Sequence, residues 1–239
     1  ENVPANEFLN LEGEKISTSQ NWAVWLHEYR EEFKGKQDVL RYTLTTIAPE
    51  TKDADFTWAD FQAKNNNELL AILGNFINRT IVLTHKYYQG VIPELGTPTE
   101  LEQEVLNKIK EFPTSIGNSI EKFRFREALA EYMNLARLGN KYLTDAEPWK
   151  KQKENPEAVK TILHVSLQIC AALSVLGEPF LPFTAKKIQN MLNIDIHEWE
   201  KGGRTDLLKA GEKINSAEYL FENIDDATIA KQIKKLEDS

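Results

Sequence analysis

The sequence predicts an all-α protein, and two observations carry that prediction. Apolar residues recur with a period of 3.6 over most of the 239 residues, whereas the strict alternation of a half-buried strand is rare. Helix-start signals recur as well: Thr57 is followed three residues later by Asp60, and Asn155 comes directly before Pro156. Together these observations predict an antiparallel helix bundle preceded by a short connective helical module.

The first segment, residues 1–55, is expected to hold an opening loop and two helices. Small hydroxyl residues at 17–19 are typical N-caps, so a helix is predicted over 20–32. A second helix is predicted over 37–47, because Pro49 disfavours helical conformation in the residue before it. This segment forms the connective module.

The central segment, residues 56–195, is expected to form the bundle. Thr57 is predicted to cap a long helix that runs to about Tyr88. Thr97, with Pro98 at the first helical position, predicts the start of the next helix. The later helices are expected at 98–110, 119–145, 155–177 and 186–192, with breaks at Pro113, Gly117, Pro148 and Gly177.

The last segment, residues 196–239, is expected to be a loop followed by a charged tail helix. Glycines interrupt residues 199–211, and the helical pattern returns over 226–236. The three segments therefore give a connective module, a bundle and a tail.

Composition limits the classes of function. The hydrophobic share of 41% and the charged share of 28% are those of a globular protein. A net charge of −8 argues against a general polyanion binder, although residues 61–90 and 121–150 each carry a small net positive charge. The single cysteine, Cys170, lies in an apolar run and excludes a disulfide framework within one chain.

Location is also predicted from the sequence. The longest uninterrupted apolar stretch, near 169–176, is far shorter than the roughly 20 residues of a membrane span, so no bilayer crossing is expected. The chain begins with Glu1 and shows no basic and apolar leader, which we interpret as an excised fragment of a cytoplasmic protein.

One helix face carries candidate binding residues. Turning 100° per residue places Asn75, Arg79 and Lys86 on one face, opposite an apolar stripe that includes Phe76 and Ile81. This face is either merely solvated or functional, since an amide and a guanidinium one turn apart can bind the edge of an unstacked base.

Trp149 and the four histidines are the other side chains considered for a binding or metal-ligating role. Trp149 follows the helix-ending proline and is either a core side chain or an aromatic platform for a base. The four histidines are scattered, so no metal site is predicted, and His164 in an apolar helix is read as a core imidazole.

Five segments in order resemble the C-terminal half of bacterial methionyl-tRNA synthetases of class I. They are "FLNLEGEKISTS", "DVLRYTLTTIAPETKDADFTWADF", "NNNELLAILGNFINR", "NKYLTDAEPWK" and "EPFLPFTAKKI". The resemblance runs over nearly the whole chain, so it is far more specific than any single segment.

The opening "KISTS" resembles the KMSKS signature loop of that class, which in the family closes over ATP during formation of methionyl-adenylate. Lys15 and Ser17 match the pattern, whereas Ile16 and Thr18 depart from it, and Ser19 closes the motif. Because Thr18 replaces the second lysine, the resemblance assigns the remaining cationic role to Lys15 alone. It also implies ATP and Mg²⁺ as cofactors of the parent enzyme, with neither expected to bind the fragment by itself.

The resemblance further implies an anticodon-binding bundle. Asn75, Arg79 and Trp149 occupy the positions that in the family recognise the CAU anticodon of methionine tRNA, chiefly its first base. The implied partners are methionine tRNA and a catalytic Rossmann domain missing from this chain, without which the fragment is expected to be inactive. A homodimer through a further C-terminal domain is also possible for this family.

Two alternatives stay open. The bundle could belong to another class I synthetase, for valine, isoleucine, leucine or cysteine, although Asn75, Arg79 and the "EPW" motif together favour methionine. It could instead be a non-enzymatic bundle that binds protein partners through exposed apolar residues such as Val82. Such a bundle has no need of the residues 15–19.

Overall fold

The computed structural model describes residues 2–238, and it confirms the all-α class with the addition of a small sheet. The strands are β1 (Leu9–Leu11), β2 (Glu14–Lys15) and β3 (Ala54–Phe56), in the order β2-β1-β3. β1 runs antiparallel to β2 and parallel to β3. The connective module is therefore not purely helical as predicted, because strands of two or three residues are too short to give an alternating sequence pattern.

Helices account for most of the rest of the described chain. In order they are α1 (Leu26–Glu32), α2 (Gln37–Thr46), α3 (Trp58–Ala63), a π-helical segment (Lys64–Gly74), α4 (Asn75–Tyr88), α5 (Glu100–Glu121), α6 (Phe125–Ala146), α7 (Pro148–Glu154), α8 (Pro156–Leu176), α9 (Pro182–Leu192), a 3₁₀ turn (Trp199–Gly203) and α10 (Asp226–Glu237). The helices α4, α5, α6 and α8 pack against one another and form the bundle.

Two of the predicted caps are present. The Thr57 hydroxyl accepts a hydrogen bond from the Asp60 backbone at 3.0 Å, and the Asn155 side chain accepts one from the Ala158 backbone at 3.2 Å. From Thr57 the helical conformation continues without interruption through α3, the π-helical segment and α4. It ends where Gln89 adopts a left-handed conformation with φ of 55°.

Two predicted helix starts are wrong, one near the N-terminus and one at α5. The first helix begins at Leu26 rather than at residue 20, because Ser17 and Trp22 instead form a β-bridge. Helix α5 begins after Thr99 rather than Thr97, since the Thr99 backbone donates to the Glu102 carboxylate at 2.9 Å in a capping box.

Pro113 and Gly117 do not interrupt α5 as the sequence predicts, and the reason is tertiary. The 3₁₀ turn packs on this part of the helix, where the Trp199 indole donates to the Pro113 carbonyl at 3.1 Å. A Cβ on Gly117 would lie 3.3 Å from the Trp199 indole nitrogen, so the glycine makes room for that ring. The two residues shape a contact surface within one continuous helix.

Two further boundaries also differ from those predicted. Helix α6 begins at Phe125 rather than at residue 119, because the left-handed residue Phe123, with φ of 58°, breaks the chain after α5. Helix α9 begins at Pro182 rather than at residue 186, with the proline at its first turn. The Asp38 carboxylate accepts a hydrogen bond from the Thr184 backbone at 2.6 Å and so caps this helix.

Helix α8 is the central core element. It is long and apolar enough to cross a membrane by length and composition alone, but 94% of its most apolar window is buried inside the protein. Cys170 is fully buried, and burial raises the pKa of its thiol. His164 is also buried, with its Nδ1 atom 2.8 Å from the Pro93 carbonyl, as expected for a core imidazole.

The tail helix α10 packs back on the connective module. The Gln232 amide donates to the Glu32 carboxylate, and Lys235 lies 2.6 Å from a carboxylate oxygen of Glu28. Helix α10 also contacts α3. The first and last segments of the described chain therefore lie together.

Candidate nucleic-acid interface

Helix α4 positions Asn75 and Arg79 through its buried face. Phe76, Ile77 and Ile81 are fully buried, while Asn75 is exposed and Arg79 is half-buried. The apolar stripe and the solvated face predicted by the 3.6-residue period are both present. The burial of these residues on two consecutive turns fixes the direction in which the two polar side chains leave the helix.

The start of α4 is held by a close approach of α6. A Cβ on Gly139 would lie 2.5 Å from the Phe76 ring, so only glycine fits at this contact. The amide of Asn140, the next residue of α6, donates to the Ile72 carbonyl at 2.7 Å, in the last turn before α4. These contacts lock the backbone that carries Asn75.

A separate device positions Trp149 at the start of α7. Glu147 is left-handed with φ of 46°, which turns the chain sharply between α6 and α7. Pro148 then occupies the first helical position and is buried, while Trp149 remains 37% exposed. The sharp turn therefore presents the tryptophan at the surface beside the bundle.

The structure brings Arg79 and Trp149 into contact. The guanidinium carbon of Arg79 lies 5.0 Å from the centroid of the Trp149 ring, within the range of a cation–π interaction. No carboxylate or other hydrogen-bonding group within residues 2–238 pairs with Arg79. Its guanidinium is therefore held by the ring while its five N–H donors stay available to a ligand.

Asn75 lies one helical turn before Arg79 on the same face. Its side-chain amide makes no hydrogen bond with any other part of the described chain, so its donor and acceptor groups are free. The arrangement thus combines one amide, one guanidinium and one aromatic ring. The sequence alone placed Asn75 and Arg79 together, but it gave no signal for the contact with Trp149, which comes from a distant helix.

The residues of the opening loop occupy the small sheet. Lys15 ends β2 and pairs in register with Asn10. Ser17 and Trp22 exchange two backbone hydrogen bonds of 2.9 Å each, and the hydroxyl oxygens of Ser17 and Ser19 are 3.3 Å apart. The backbone therefore forms a closed turn whose side chains project outward.

The outward side chains border an open groove. Lys15, Thr18 and Ser19 are exposed, Ile16 is 40% exposed and Ser17 is half-buried. A groove of about 840 Å³ lies between this turn and the end of α10, and Lys15, Ser17 and Ser19 all line it. No carboxylate within residues 2–238 pairs with the Lys15 ammonium group.

Residues 2–238 hold no group of three or more His, Cys, Asp or Glu side chains that could bind an ion. No metal-binding role is assigned to any of these side chains.

Two residues near Asn75 were missed by sequence reasoning. Asn78 lies on the same helix, and Tyr219 lies in an irregular segment that reaches the same surface, where its side chain is 80% exposed. In the sequence, Tyr219 opens a short apolar run with Leu220 and Phe221, in a segment that has no helical pattern. Periodicity says nothing about which helix such a segment contacts.

Two family models match the chain. The family model described as "tRNA synthetases class I (M)" matches residues 1–81, and the one described as "Anticodon binding domain of methionyl tRNA ligase" matches residues 92–238. The chain therefore belongs to the class I aminoacyl-tRNA synthetases. Within that class, it belongs to the methionyl-tRNA ligase family.

Individual relatives agree with the family models. The chain is 65% identical to a methionine–tRNA ligase of Cytophaga hutchinsonii over 100% of this chain and 35% of the relative. It is 58% identical to one of Flavobacterium johnsoniae over 99% of this chain and 37% of that relative. The chain thus spans about a third of the length of these curated relatives.

A solved structure shows the same fold. Mycobacterium tuberculosis methionyl-tRNA synthetase in complex with methionyl-adenylate superposes with a TM-score of 0.82 at 22% identity. The match covers 91% of this chain and 43% of that chain. At 22% identity this match supports the fold alone and carries no information on the roles of individual residues.

Proposed function

We propose that the bundle binds the anticodon of methionine tRNA and distinguishes its first base through Asn75, Arg79 and Trp149. The observation that carries this proposal is the contact of Arg79 with Trp149, in which a free guanidinium lies 5.0 Å from the centroid of a partly exposed ring. A base that stacks on Trp149 comes within reach of the Arg79 donors. Stacking supplies affinity for any base, and hydrogen bonds to the base edge supply the preference for one base over another.

The chemistry of the three side chains suits the cytosine that begins CAU. The Watson–Crick edge of cytosine carries an amino donor and two acceptors. Arg79 can donate to the acceptors, while the free amide of Asn75 can both donate and accept. A purine at this position would present a different pattern and a larger outline, leaving donors of Arg79 unpaired at a cost.

The acidic net charge is compatible with this function. Base edges and stacking confer specificity, whereas contacts with phosphates mainly confer affinity. A net charge of −8 over the chain therefore limits general binding to RNA but does not oppose recognition of an unstacked loop base.

The turn at 15–19 is assigned to the nucleotide site of the whole enzyme, which attaches methionine to tRNA with ATP. An unpaired ammonium group at Lys15 and the hydroxyls of Ser17 and Ser19 border one groove, which the carboxylates of Glu14 and Glu237 also line. The lysine and the two hydroxyls are the groups that can donate to a phosphate. ATP supplies the phosphate that methionine attacks. Lys15 would hold the charge that develops there, with Thr18 unable to supply a second cation.

Further properties of the whole enzyme are predicted by the family resemblance and not by the contacts described above. Mg²⁺ would accompany ATP, and residues 2–238 contribute no carboxylate cluster for it. The resemblance likewise predicts a catalytic Rossmann domain, a homodimer through a further C-terminal domain and a cytoplasmic location.

The test is a titration of the chain with an anticodon stem-loop RNA. Fluorescence of the tryptophans should report binding of the CAU stem-loop, and replacing its first anticodon base should weaken binding. The valine, isoleucine and cysteine anticodons in the same stem-loop serve as controls for the other class I specificities. Equal binding of all these RNAs would contradict anticodon recognition and favour a bundle that binds proteins.

A further inference from the structure

Helix α10 ends at the groove that the turn at 15–19 borders. Leu236 and Glu237, at the C-terminal end of α10, line this groove together with Lys15. The turn and the helix come from opposite ends of the described chain, so only tertiary packing brings them together. The proposed nucleotide site therefore has one wall that belongs to the turn and another that belongs to the tail.

The tail helix is anchored on α1 by charged and polar side chains. The Lys235 ammonium group lies 2.6 Å from a carboxylate oxygen of Glu28 and 3.3 Å from one of Glu32. Lys231 lies 3.5 Å from the same oxygen of Glu32, and the Gln232 amide donates to the other oxygen. This hydrogen bond from Gln232 is the main reason that the pKa of the Glu32 carboxyl lies below its ordinary value. Helix α10 thus binds the ionised form of the carboxylate.

An apolar stripe and a second polar contact hold the rest of α10. Ile229 and Leu236 lie about two helical turns apart on one face, and only 6% of each is exposed. Leu236 and Trp58 of α3 line the same small cavity between α10 and α1. At the other end of the helix, the Gln62 amide donates to the Asp226 carboxylate at 2.8 Å. Helix α10 is therefore attached to the rest of the protein at both ends.

The segment that α10 anchors is the direct continuation of the turn. Helix α1 begins at Leu26, and the residue before it, Trp25, donates from its indole to the Asn21 side-chain oxygen at 2.8 Å. Asn21 is left-handed with φ of 54°. Ser17 and Trp22 then close the turn through two backbone hydrogen bonds of 2.9 Å. A displacement of α1 is therefore passed directly to the backbone of the turn.

We infer that α10 is a strut that holds the turn at 15–19 in the position required for adenylate formation, with Lys235 as a positioning residue. This inference rests on the proposed nucleotide role of the turn and deepens it. Lys235 does not line the groove, so it acts through Glu28 and α1 on the place of Lys15. A group that stabilises developing charge must be held within about 0.5 Å of its productive position.

The same contacts give a different expectation for the stability of the fold. The Lys235 side chain is 39% exposed, and ion pairs between exposed side chains contribute little to folding. Loss of the Lys235 charge should therefore leave the protein folded while it loosens α1 and the turn. Positioning of the turn and stability of the fold can thus be measured separately.

The experiment measures methionine-dependent pyrophosphate exchange in the full-length enzyme, with kcat and the KM for ATP determined separately. Lys235→Met removes the charge and keeps the length of the side chain, Lys235→Arg keeps the charge, and Glu28→Gln breaks the same pair from α1. Lys234→Met is the matched control, because Lys234 is an exposed lysine of α10 that forms no ion pair with any residue of 2–238. Circular dichroism checks that each variant is folded.

Lys235→Met and Glu28→Gln should each lower kcat by roughly 10- to 100-fold, since a displacement of about 1 Å can have this effect, while the KM for ATP and the affinity for methionine tRNA stay within about twofold. Lys235→Arg and Lys234→Met should stay close to the parent. In a Lys15→Ala background, Lys235→Met should have no further effect, because both substitutions remove the same interaction.

Hydrogen exchange of this chain gives a readout that does not depend on activity. The backbone amides of Ser17 and Trp22 should exchange faster in Lys235→Met than in the parent, because the turn is held less firmly. The amides of α8, in the core, should exchange at the parental rate in both chains. Exchange at Ser17 and Trp22 that does not change would contradict the strut.

The kinetic outcomes separate this inference from the proposed function. If Lys15→Ala lowers kcat and Lys235→Met does not, the strut is wrong and the nucleotide role of the turn stands. If Lys15→Ala has no effect, the nucleotide role fails, and the strut fails with it. A loss from Lys235→Met that persists in full in the Lys15→Ala background, or that Lys234→Met shares, also overturns the strut.

Discussion

The two candidate sites of this chain are built in different ways. In the bundle, Asn75 and Arg79 project from a helix whose other face is fully buried, and Trp149 is presented by a sharp turn beside it. In the turn at 15–19, backbone hydrogen bonds close the loop while its polar side chains contact little else. The bundle site is therefore preorganised by the core, whereas the turn offers side chains whose positions the core does not fix.

This difference predicts how substitutions act. A change behind the bundle site should damage both folding and binding, since the same packing supports both. A change in the turn should leave folding nearly intact and affect only the chemistry that depends on its side chains.

The largest effect is expected at the contact that holds α4 on α6. Gly139→Val should lower the free energy of unfolding by roughly 1–3 kcal/mol or more, because even a Cβ would lie 2.5 Å from the Phe76 ring. Binding of the CAU stem-loop should fall with it, since Phe76 adjoins Asn75. Urea unfolding measures the change, and Asn134→Ala at an exposed position of the same helix is the control. Unchanged stability would show that the bundle site is not set by this packing.

Loss of the aromatic platform should mainly affect binding. Trp149→Ala should weaken tRNA binding on the order of 1–3 kcal/mol through lost stacking. Trp149→Phe should recover part of this energy, because a smaller ring still stacks. Titration with tRNA measures both variants, with circular dichroism as the folding control because Trp149 is only 37% exposed. If Trp149→Ala binds like the parent, the ring is a packing residue.

Asn75 and Arg79 should contribute more to discrimination between anticodons than to affinity for tRNA. Arg79→Ala and Asn75→Ala should narrow the gap between CAU and altered first bases, since the groups that make the wrong base costly are removed. Aminoacylation of parent and anticodon-substituted tRNAs by the full-length enzyme measures that gap. Lys86→Ala, on the same face of α4, is the matched control. Retained discrimination in both variants would contradict the assignment.

The bundle core should also be sensitive to acid through His164. Burial lowers the pKa of His164 below its ordinary value of 6.5, against the opposing effect of the hydrogen bond to the Pro93 carbonyl. The unfolded chain therefore takes up the proton more readily, so this stabilisation is present above about pH 6.5 and is lost as pH falls toward the folded-state pKa.

Unfolding free energies between pH 7.5 and 5.5 test this effect, since carboxylates remain largely ionised over that range. The parent should lose stability on acidification, and His164→Gln should lose less. His27→Gln, at an exposed histidine in α1, should follow the parent. A parallel decline in all three chains would assign the effect to other groups.

The smallest effect on folding is expected in the turn. Lys15→Ala and Ser19→Ala should each change the free energy of unfolding by less than about 0.5 kcal/mol, because both side chains are exposed. In the full-length enzyme, Lys15→Ala should depress methionyl-adenylate formation, measured by pyrophosphate exchange, while tRNA binding stays close to the parent. If Lys15→Ala instead unfolds the chain, Lys15 is a structural residue.

Some features followed from the sequence because they depend on local geometry. A helix repeats every 3.6 residues, so the apolar positions of 57–88 alone placed Asn75 and Arg79 on an exposed face. Cap chemistry is equally local, which is why Thr57 and Asn155 could be identified as helix starts. The family resemblance added the anticodon and nucleotide roles, which no periodicity could supply.

Other features were decided only by tertiary packing. Pro113 stays inside a helix where Trp199 packs on it, and the turn at 15–19 closes on a sheet whose third strand comes from residues 54–56. Arg79 meets Trp149, and Tyr219 reaches the cavity beside Asn75, across long separations in sequence. A sequence pattern fixes which face of a segment is buried, but the partner of that face depends on how all the segments pack together.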